Sequence, residues 1–262
     1  MHRLSIIGGG RMGDALLGGL LVSGWATADE LAVVEALPAR RDELAAARPG
    51  VAVLADAEPA ESVVIAVKPG DVEAAVRTAV AAGAGRVLSI AAGVTIATLE
   101  GAAGGTVPVV RAMPNTPALV GKGASAIAPG NHATDDDVAW ARSVLGSVGT
   151  VVEVTEAQLD AVTGLSGSGP AYVFLVVEAM VDAGVLAGLP RPTAAALVQQ
   201  TVLGAATLLA EGDDGPEALR AAVTSPGGTT AAGLRALESA GVRSAFIDAV
   251  VAATARSREL GG

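Results

Sequence analysis

The feature that most constrains this chain comes almost at once. An apolar run, Leu4-Ser5-Ile6-Ile7, leads straight into Gly8-Gly9-Gly10-Arg11-Met12-Gly13, and a helical pattern follows (Ala15, Leu16, Leu17, Leu20, Leu21). In such a G-x-G-x-x-G turn Gly8 allows the tight reversal, Gly10 lets backbone approach a pyrophosphate, and Gly13 lets helix and strand pack closely. The first turn, with Arg11 and Met12, points unpaired N–H groups and the positive end of the helix dipole at bound phosphates. With 34 glycines in the chain a bare match means little. The strand before it, the helix after it and the next strand at Leu31–Val34 supply the context the motif requires. A dinucleotide site is predicted at Gly8, Gly10, Arg11, Met12 and Gly13.

Residues 1–150 alternate β-rich runs with helical stretches, the pattern of a parallel sheet covered by helices. Strands are predicted at Leu4–Ile7, Leu31–Glu35, Val51–Leu54, Val63–Val67, Val87–Ile90, Val107–Ala112, Ala124–Ala128 and Val151–Val154, with helices over 11–23, 38–47, 71–82, 95–102 and 134–147. From Glu156 onward only helical periodicity remains. The predicted architecture is an α/β Rossmann domain with a doubly wound, mostly parallel sheet over 1–154, followed by an all-α domain over 155–262. Hydrophobic residues make up 51% and aromatics only 2%, so any core is built from Ala, Val, Leu and Ile. The segment 170–187 is apolar nearly all round and is predicted to be buried on all sides. A second copy of the chain is a source of that burial, which makes the helical half a dimerisation domain.

A formal charge of −10 argues against nucleic acid or an anionic membrane as partner. The absence of cysteine excludes disulfides and thiolate metal sites, and no metal is expected. The N-terminus has no secretory pattern, and the apolar stretch Ala171–Val181, followed by Asp182, is short for a bilayer span. A cytoplasmic protein is expected.

In a doubly wound sheet the ligand sits at the carboxyl ends of the strands. Glu35 ends the second strand 22 residues after Gly13, where an acid meets the ribose 2′-hydroxyl of NAD; Arg40 and Arg41 follow and could meet the 2′-phosphate of NADP. NAD and NADP stay open on these residues. The fourth strand ends in Ala66-Val67-Lys68-Pro69, one of only two lysines in the chain. The fifth ends in Ser89-Ile90-Ala91-Ala92-Gly93, small enough for a flat nicotinamide to lie against backbone. Asn115, between Pro114 and Pro117, offers donors and an acceptor. In the helical half, Thr163–Tyr172 brings the only tyrosine beside a Ser/Gly run. Ser225-Pro226-Gly227-Gly228-Thr229-Thr230 reads as an N-cap and first turn leading into a helix over Ala231–Leu237, with donors converging as a carboxylate or phosphate cradle.

The residue inventory limits the chemistry. Oxidising an alcohol calls for a base such as His, Lys or Tyr. The histidines, His2 and His132, lie on no motif, the helical half has no lysine, and Val176 stands where a Tyr-x-x-x-Lys pair would need its lysine. Reducing a C=N bond asks less, because a protonated imine is already electrophilic. The protein then supplies orientation, a carboxylate anchor and a hydroxyl near nitrogen.

Over essentially its whole length the chain resembles the pyrroline-5-carboxylate reductases, the last enzymes of proline biosynthesis. The resemblance rests on Ile7–Gly13, Ala66–Pro69, Ser89–Gly93, Arg111–Ala118, Gly164–Phe174 and Ser225–Thr230 taken together. It implies hydride transfer from NADP(H) or NAD(H), without a metal, to the C=N bond of L-1-pyrroline-5-carboxylate, giving L-proline. It implies nucleotide contacts from Gly8–Gly13, Ala66, Val67, Lys68 and Pro69, to which the strand-end reading adds Glu35, Ala91 and Ala92. The substrate would meet Asn115, Thr163, Ser225, Gly227, Gly228, Thr229 and Thr230, its carboxylate held by Ser225 and the N–H groups of Gly228 and Thr229. Thr230 and Lys68 are the implied catalytic residues, with the Thr230 hydroxyl near the ring nitrogen. The resemblance further implies a homodimer through the C-terminal helices, an active site completed across it, and a decamer of five dimers. Two departures stand out: Glu35-Ala36 puts the usual NADPH preference in doubt, and Asp56 stands near where relatives place an asparagine. Competing readings are a reductase of a larger cyclic imino acid and a nucleotide-binding regulator without turnover. A P-loop transferase is disfavoured because no lysine follows the glycines.

Overall fold

The computed structural model describes residues 1–261. Eight strands form one sheet: β1 (Leu4–Ile7), β2 (Leu31–Val34), β3 (Ala52–Leu54), β4 (Val63–Ile65), β5 (Val87–Ser89), β6 (Val109–Met113), β7 (Gly123–Pro129) and β8 (Gly149–Glu153). The helices interleaved with them are α1 (Arg11–Val22), α2 (Pro38–Ala47), α3 (Val72–Ala81), α4 (Ile96–Ala102) and α5 (Asp135–Gly146). After β8 come α6 (Leu159–Val162), a π-helical turn (Thr163–Gly167), α7 (Gly169–Leu186), α8 (Arg191–Glu211), α9 (Pro216–Ala222), α10 (Thr229–Ser239) and α11 (Val242–Gly261).

The strand order is β3-β2-β1-β4-β5-β6-β7-β8, parallel throughout except for the antiparallel pair β6–β7. The order reverses between β1 and β4, so a crevice opens at their carboxyl ends, where this class of sheet binds ligands. The strands form where β-branched and aliphatic residues run together, and their side chains are buried on both faces in β1, β2, β4 and β5. That double burial is why these runs are continuous and do not alternate with polar residues. One core cluster joins Leu16, Leu17 and Leu20 of α1 to Leu4, Ile6, Leu31 and Val33; a second gathers Ile7, Ile65, Val72, Val76 and Leu99 on the opposite face.

β2, β4 and β5 each end earlier than the sequence pattern suggests. The Ala66 N–H still donates to Ile7 O (2.8 Å) and the Ile90 N–H to Ile65 O (3.1 Å), and beyond those bonds the chain turns out of the ladder. These freed residues are the ones that reach the crevice.

The chain packs as two compact units, 1–168 with 251–262, and 169–250. Packing thus divides it at other places than the change of residue pattern at 154/155. Residues 155–168 belong with the sheet because Leu159 buries against Ile96, Ala126 and Ala128. The end of α11 belongs there too, because the Ser257 hydroxyl bonds Asp160 (2.7 Å).

Among its described residues the second unit is helices joined by short turns and irregular links, with no strand. The expectation that 170–187 is buried on all sides does not hold within one chain. Val181 is the one buried residue of α7, while Phe174 is 62% and Leu175 65% exposed. The helix that holds the Ala171–Val181 stretch is longer than that apolar run. Helical structure from Glu156 to Leu186 spans 31 residues and holds an 18-residue stretch of mean hydropathy 1.6, and such a stretch in α8 reaches 1.4, so both are long and apolar enough for a membrane span by length and composition. The same length and composition suit a helix covered by another protein surface.

Candidate active site

The glycine turn is locked by its surroundings. Gly8 has φ +110°, and a Cβ there would stand 2.6 Å from Ala66 O. A Cβ on Gly13 would fall onto Gly8 O, so helix α1 meets the end of β1 backbone to backbone. At Gly10 a Cβ would meet nothing within 4 Å, which leaves open space beside the turn. Gly10 is the N-cap of α1 and brings no side-chain cap, so the N–H groups of the Arg11–Gly13 turn stay available for an anion. These features fit a pyrophosphate.

Glu35 follows β2 and bridges the turn. Its Oε2 accepts the Gly9 N–H (3.1 Å) and its Oε1 the Leu37 N–H (2.9 Å), which fixes the carboxylate beside the glycines. Arg40, the candidate for a 2′-phosphate, is already engaged. It donates to Gly9 O (2.8 Å), Glu43 (2.8 Å) and Asp14 (3.1 Å), and the hydrogen bonds to Glu43 and Asp14 hold its guanidinium above its usual pKa. Arg48 also binds Asp14 (2.9 Å). Arg41 donates through one nitrogen to Glu35 O and Ala36 O, both at 2.8 Å.

Lys68 is exposed at the carboxyl end of β4, one residue before the Pro69–Asp71 turn, and has no ion pair among the described residues. Ala66 and Val67 are half-buried beside it, and Ala91 is buried at the end of β5 with Ala92 exposed. Nucleotide candidates from β1, β2, β4 and β5 therefore share one edge of the sheet. Among the described residues no group of three or more His, Asp or Glu could hold a metal.

Asn115 is more committed than the sequence suggests. It is 9% exposed, its amide donates to Ser166 O (3.0 Å), and its oxygen accepts the Ala124 N–H (2.8 Å). It ties the π-helical turn to the start of β7. Thr163 donates its hydroxyl proton to Leu159 O (2.9 Å) and retains only acceptor capacity. The π-turn itself was hidden in the sequence, where Ser and Gly mark a loop but not its hydrogen-bond register.

The Ser225–Thr230 loop departs from its expected form. Helix α10 starts at Thr229 with Gly228 as N-cap and without a side-chain cap bond, so Ser225-Pro226 do not cap it. The Gly228 N–H donates to Ser225 O (3.0 Å), and Gly227 takes φ +69°. Gly228 is thus spent inside the turn, and the first-turn N–H groups of Thr229, Thr230 and Ala231 are the free donors. Thr230 is half-buried, while Ser225 and Thr229 are exposed. A groove of about 320 Å³ runs along this end, lined by Gly227, Gly228, Ala231, Ala232 and Arg235. Sequence reasoning passed over Arg235. Its signal is a lone arginine one helical turn beyond the free amides, on the same face.

Comparison with known proteins covers both units. The family described as pyrroline-5-carboxylate reductase dimerisation matches residues 156–260, and one described as NADP oxidoreductase, coenzyme F420-dependent, matches 3–93. The chain is 47% identical to the pyrroline-5-carboxylate reductase of Synechocystis, covering 99% of this chain and 98% of that one. It is 46% identical to the Mycobacterium tuberculosis enzyme, covering 99% and 97%. Among solved structures, a pyrroline-5-carboxylate reductase from Coxiella burnetii superposes with TM-score 0.94 at 36% identity, covering 100% and 99%. The Plasmodium falciparum reductase, with NADP bound, gives 0.84 at 29%, covering 100% and 98%.

The geometry at Asn115 generates a test. Asn115→Asp keeps the acceptor for Ala124 but sets a carboxylate against Ser166 O. It should cost about 1–3 kcal/mol, the range for an unsatisfied buried polar group. Urea denaturation at fixed protein concentration measures it, and an unchanged midpoint would mean that the clamp carries no load.

Proposed function

The chain belongs to the pyrroline-5-carboxylate reductase family, and from that premise we propose that it reduces L-1-pyrroline-5-carboxylate to L-proline with a nicotinamide nucleotide. The observation that carries the reading is the full-length match to reductases of that name, which spans the glycine turn and the Ser225–Thr230 loop alike. Reduction needs a hydride at the imine carbon and a proton at nitrogen. The reduced nicotinamide supplies the hydride when it is bound.

The chain's own residues bind and orient. Gly8, Gly10 and the Arg11–Gly13 amides hold the pyrophosphate, Glu35 accepts from the ribose, and Ala66–Pro69 with Ala91 and Ala92 bound the nicotinamide end. The α10 amides of Thr229, Thr230 and Ala231, with Arg235, form the carboxylate cradle, and the Thr230 hydroxyl orients or protonates the imine nitrogen. Lys68 adds positive charge at the nucleotide edge.

For the cofactor we favour NADH. The Glu35 carboxylate would repel a 2′-phosphate, and Arg40 is already committed to Gly9, Asp14 and Glu43. Oxidation of NADH and NADPH at ~340 nm with L-1-pyrroline-5-carboxylate tests both parts. Turnover with NADH preferred is expected, and Glu35→Ser should move the kcat/KM ratio toward NADPH by about tenfold or more, one charge–charge contact of ~1.4 kcal/mol. Cofactor binding without any turnover would sink the assigned reaction. A ratio that Glu35→Ser leaves unmoved would sink the role given to Glu35.

Thr230→Val removes the hydroxyl at nearly constant volume. It should lower kcat/KM by about 10²-fold, at the low end for a lost proton-transfer group, with NADH affinity kept. Unchanged kinetics would take Thr230 out of the mechanism.

The apolar helices of 169–250, within the segment that matches the dimerisation family, support a homodimer, and five such dimers would make a decamer. Native mass spectrometry reads the copy number; a monomer would contradict the dimer, and a dimer alone would contradict the ring.

A further inference from the structure

The last turns of α11 belong to the sheet unit and pack against the loop between β5 and α4. Gly93 in that loop has φ +77°, and a Cβ there would stand 3.6 Å from Leu260 O and 3.7 Å from Gly261 Cα. From the other side, a Cβ on Gly261 would stand 3.2 Å from Gly93 O. Two glycines therefore meet backbone to backbone, in ordinary van der Waals contact from the Gly93 side and tight from the Gly261 side, where a side chain would have to push Gly93 O aside. One turn earlier the Ser257 hydroxyl donates to Asp160 Oδ1 (2.7 Å), across a separation of 97 residues. Behind the loop, Glu156 accepts both the Ile96 N–H (2.6 Å) and the Arg111 guanidinium (2.9 Å) and so anchors the start of α4. A cavity of about 140 Å³ remains between these parts, lined by Gly93, Thr95, Arg111, Asp160, Arg258 and Gly261.

Gly93 directly follows Ala91 and Ala92, the residues assigned above to the nicotinamide end of the cofactor. We infer that the end of α11 is a positioning latch for this loop: the Ser257–Asp160 bond and the Gly261–Gly93 contact hold Ala91–Gly93 in the conformation that receives nicotinamide. Ser257 and Gly261 touch neither cofactor nor substrate and act through the loop. The inference rests on the proposed nicotinamide role of Ala91 and Ala92. It goes beyond that role in making cofactor affinity depend on residues more than 160 positions away.

A ligand that lacks nicotinamide separates this role from general support of the fold. Affinities for NADH and for ADP-ribose are measured on the full-length protein and on Ser257→Ala, Ser257→Thr, Gly261→Val and Ala92→Leu. Ser257→Ala should weaken NADH by about threefold to tenfold, the range of one lost hydrogen bond, and leave ADP-ribose within about twofold. Gly261→Val, which presses on Gly93 O, should act in the same direction, and Ser257→Thr should restore NADH binding. In steady state the KM for NADH rises while kcat at saturating NADH holds. Equal losses for both ligands, or a fall in melting temperature with NADH affinity intact, would overturn the latch. If Ala92→Leu weakens NADH while the Ser257 and Gly261 variants do not, the loop keeps its role and the latch falls. If Ala92→Leu also leaves NADH untouched, the nicotinamide assignment fails first and takes the latch with it.

Discussion

The crevice depends on one close approach, the backbone of Gly13 against the carbonyl of Gly8. No side chain fits between them, so the axis of α1 is set by the end of β1. Gly8 is held in turn by Ala66 O and by its own N–H on Val34 O (2.8 Å). Three elements that are distant in sequence thus fix one turn, and the open space at Gly10 follows from it. A phosphate site of this kind is made by what is absent: the missing Cβ atoms let the amides of a helix start reach a point that side chains would otherwise fill.

Charge arranged around the turn decides what can enter beside it. Asp14, in the first turn of α1, takes Arg40 and Arg48, and Arg40 also holds Gly9 O. Arg40 and Arg48 are thereby spent on tying α2 and the chain after it to α1, while Arg11, inside the turn itself, is exposed. Glu35 remains with its carboxylate fixed by two backbone N–H groups. In a half-buried network such commitments weigh more than nearness in sequence, because breaking them to meet a phosphate leaves other charges unpaired.

Much of this was legible in the sequence, for identifiable reasons. The eight strands show themselves because buried parallel strands are runs of Val, Ile, Leu and Ala between turn residues. The glycine motif shows itself because its spacing is the geometry. What stayed hidden is whatever depends on partners chosen in three dimensions. Asn115 reads as a free amide beside prolines, yet both ends of its side chain are taken by Ser166 and Ala124. Gly228 reads as a donor toward ligand, yet it closes a turn on Ser225. Arg235 looks like an ordinary surface residue of a helix until the groove is seen. No local pattern says that Ser257 returns to the sheet.

The helical unit poses a question that its own residues answer in one direction. Among its described residues only Val181, Ala194 and Val198 are buried, a core of three side chains for more than eighty residues. Burial of that size cannot offset the conformational entropy of ordering so long a stretch. The exposed surface is meanwhile rich in Leu, Val and Phe, at positions such as Phe174, Leu175, Leu203, Leu208 and Ile247. A surface so apolar on helices so poorly buried belongs inside something larger. For a unit in the segment that matches a dimerisation family, association with a second copy is the source of that burial, and folding and assembly then become one equilibrium. The division of labour follows from the two cores. The sheet unit closes on its own side chains and can hold the glycine turn rigidly, whereas the helical unit reaches its final packing only in company.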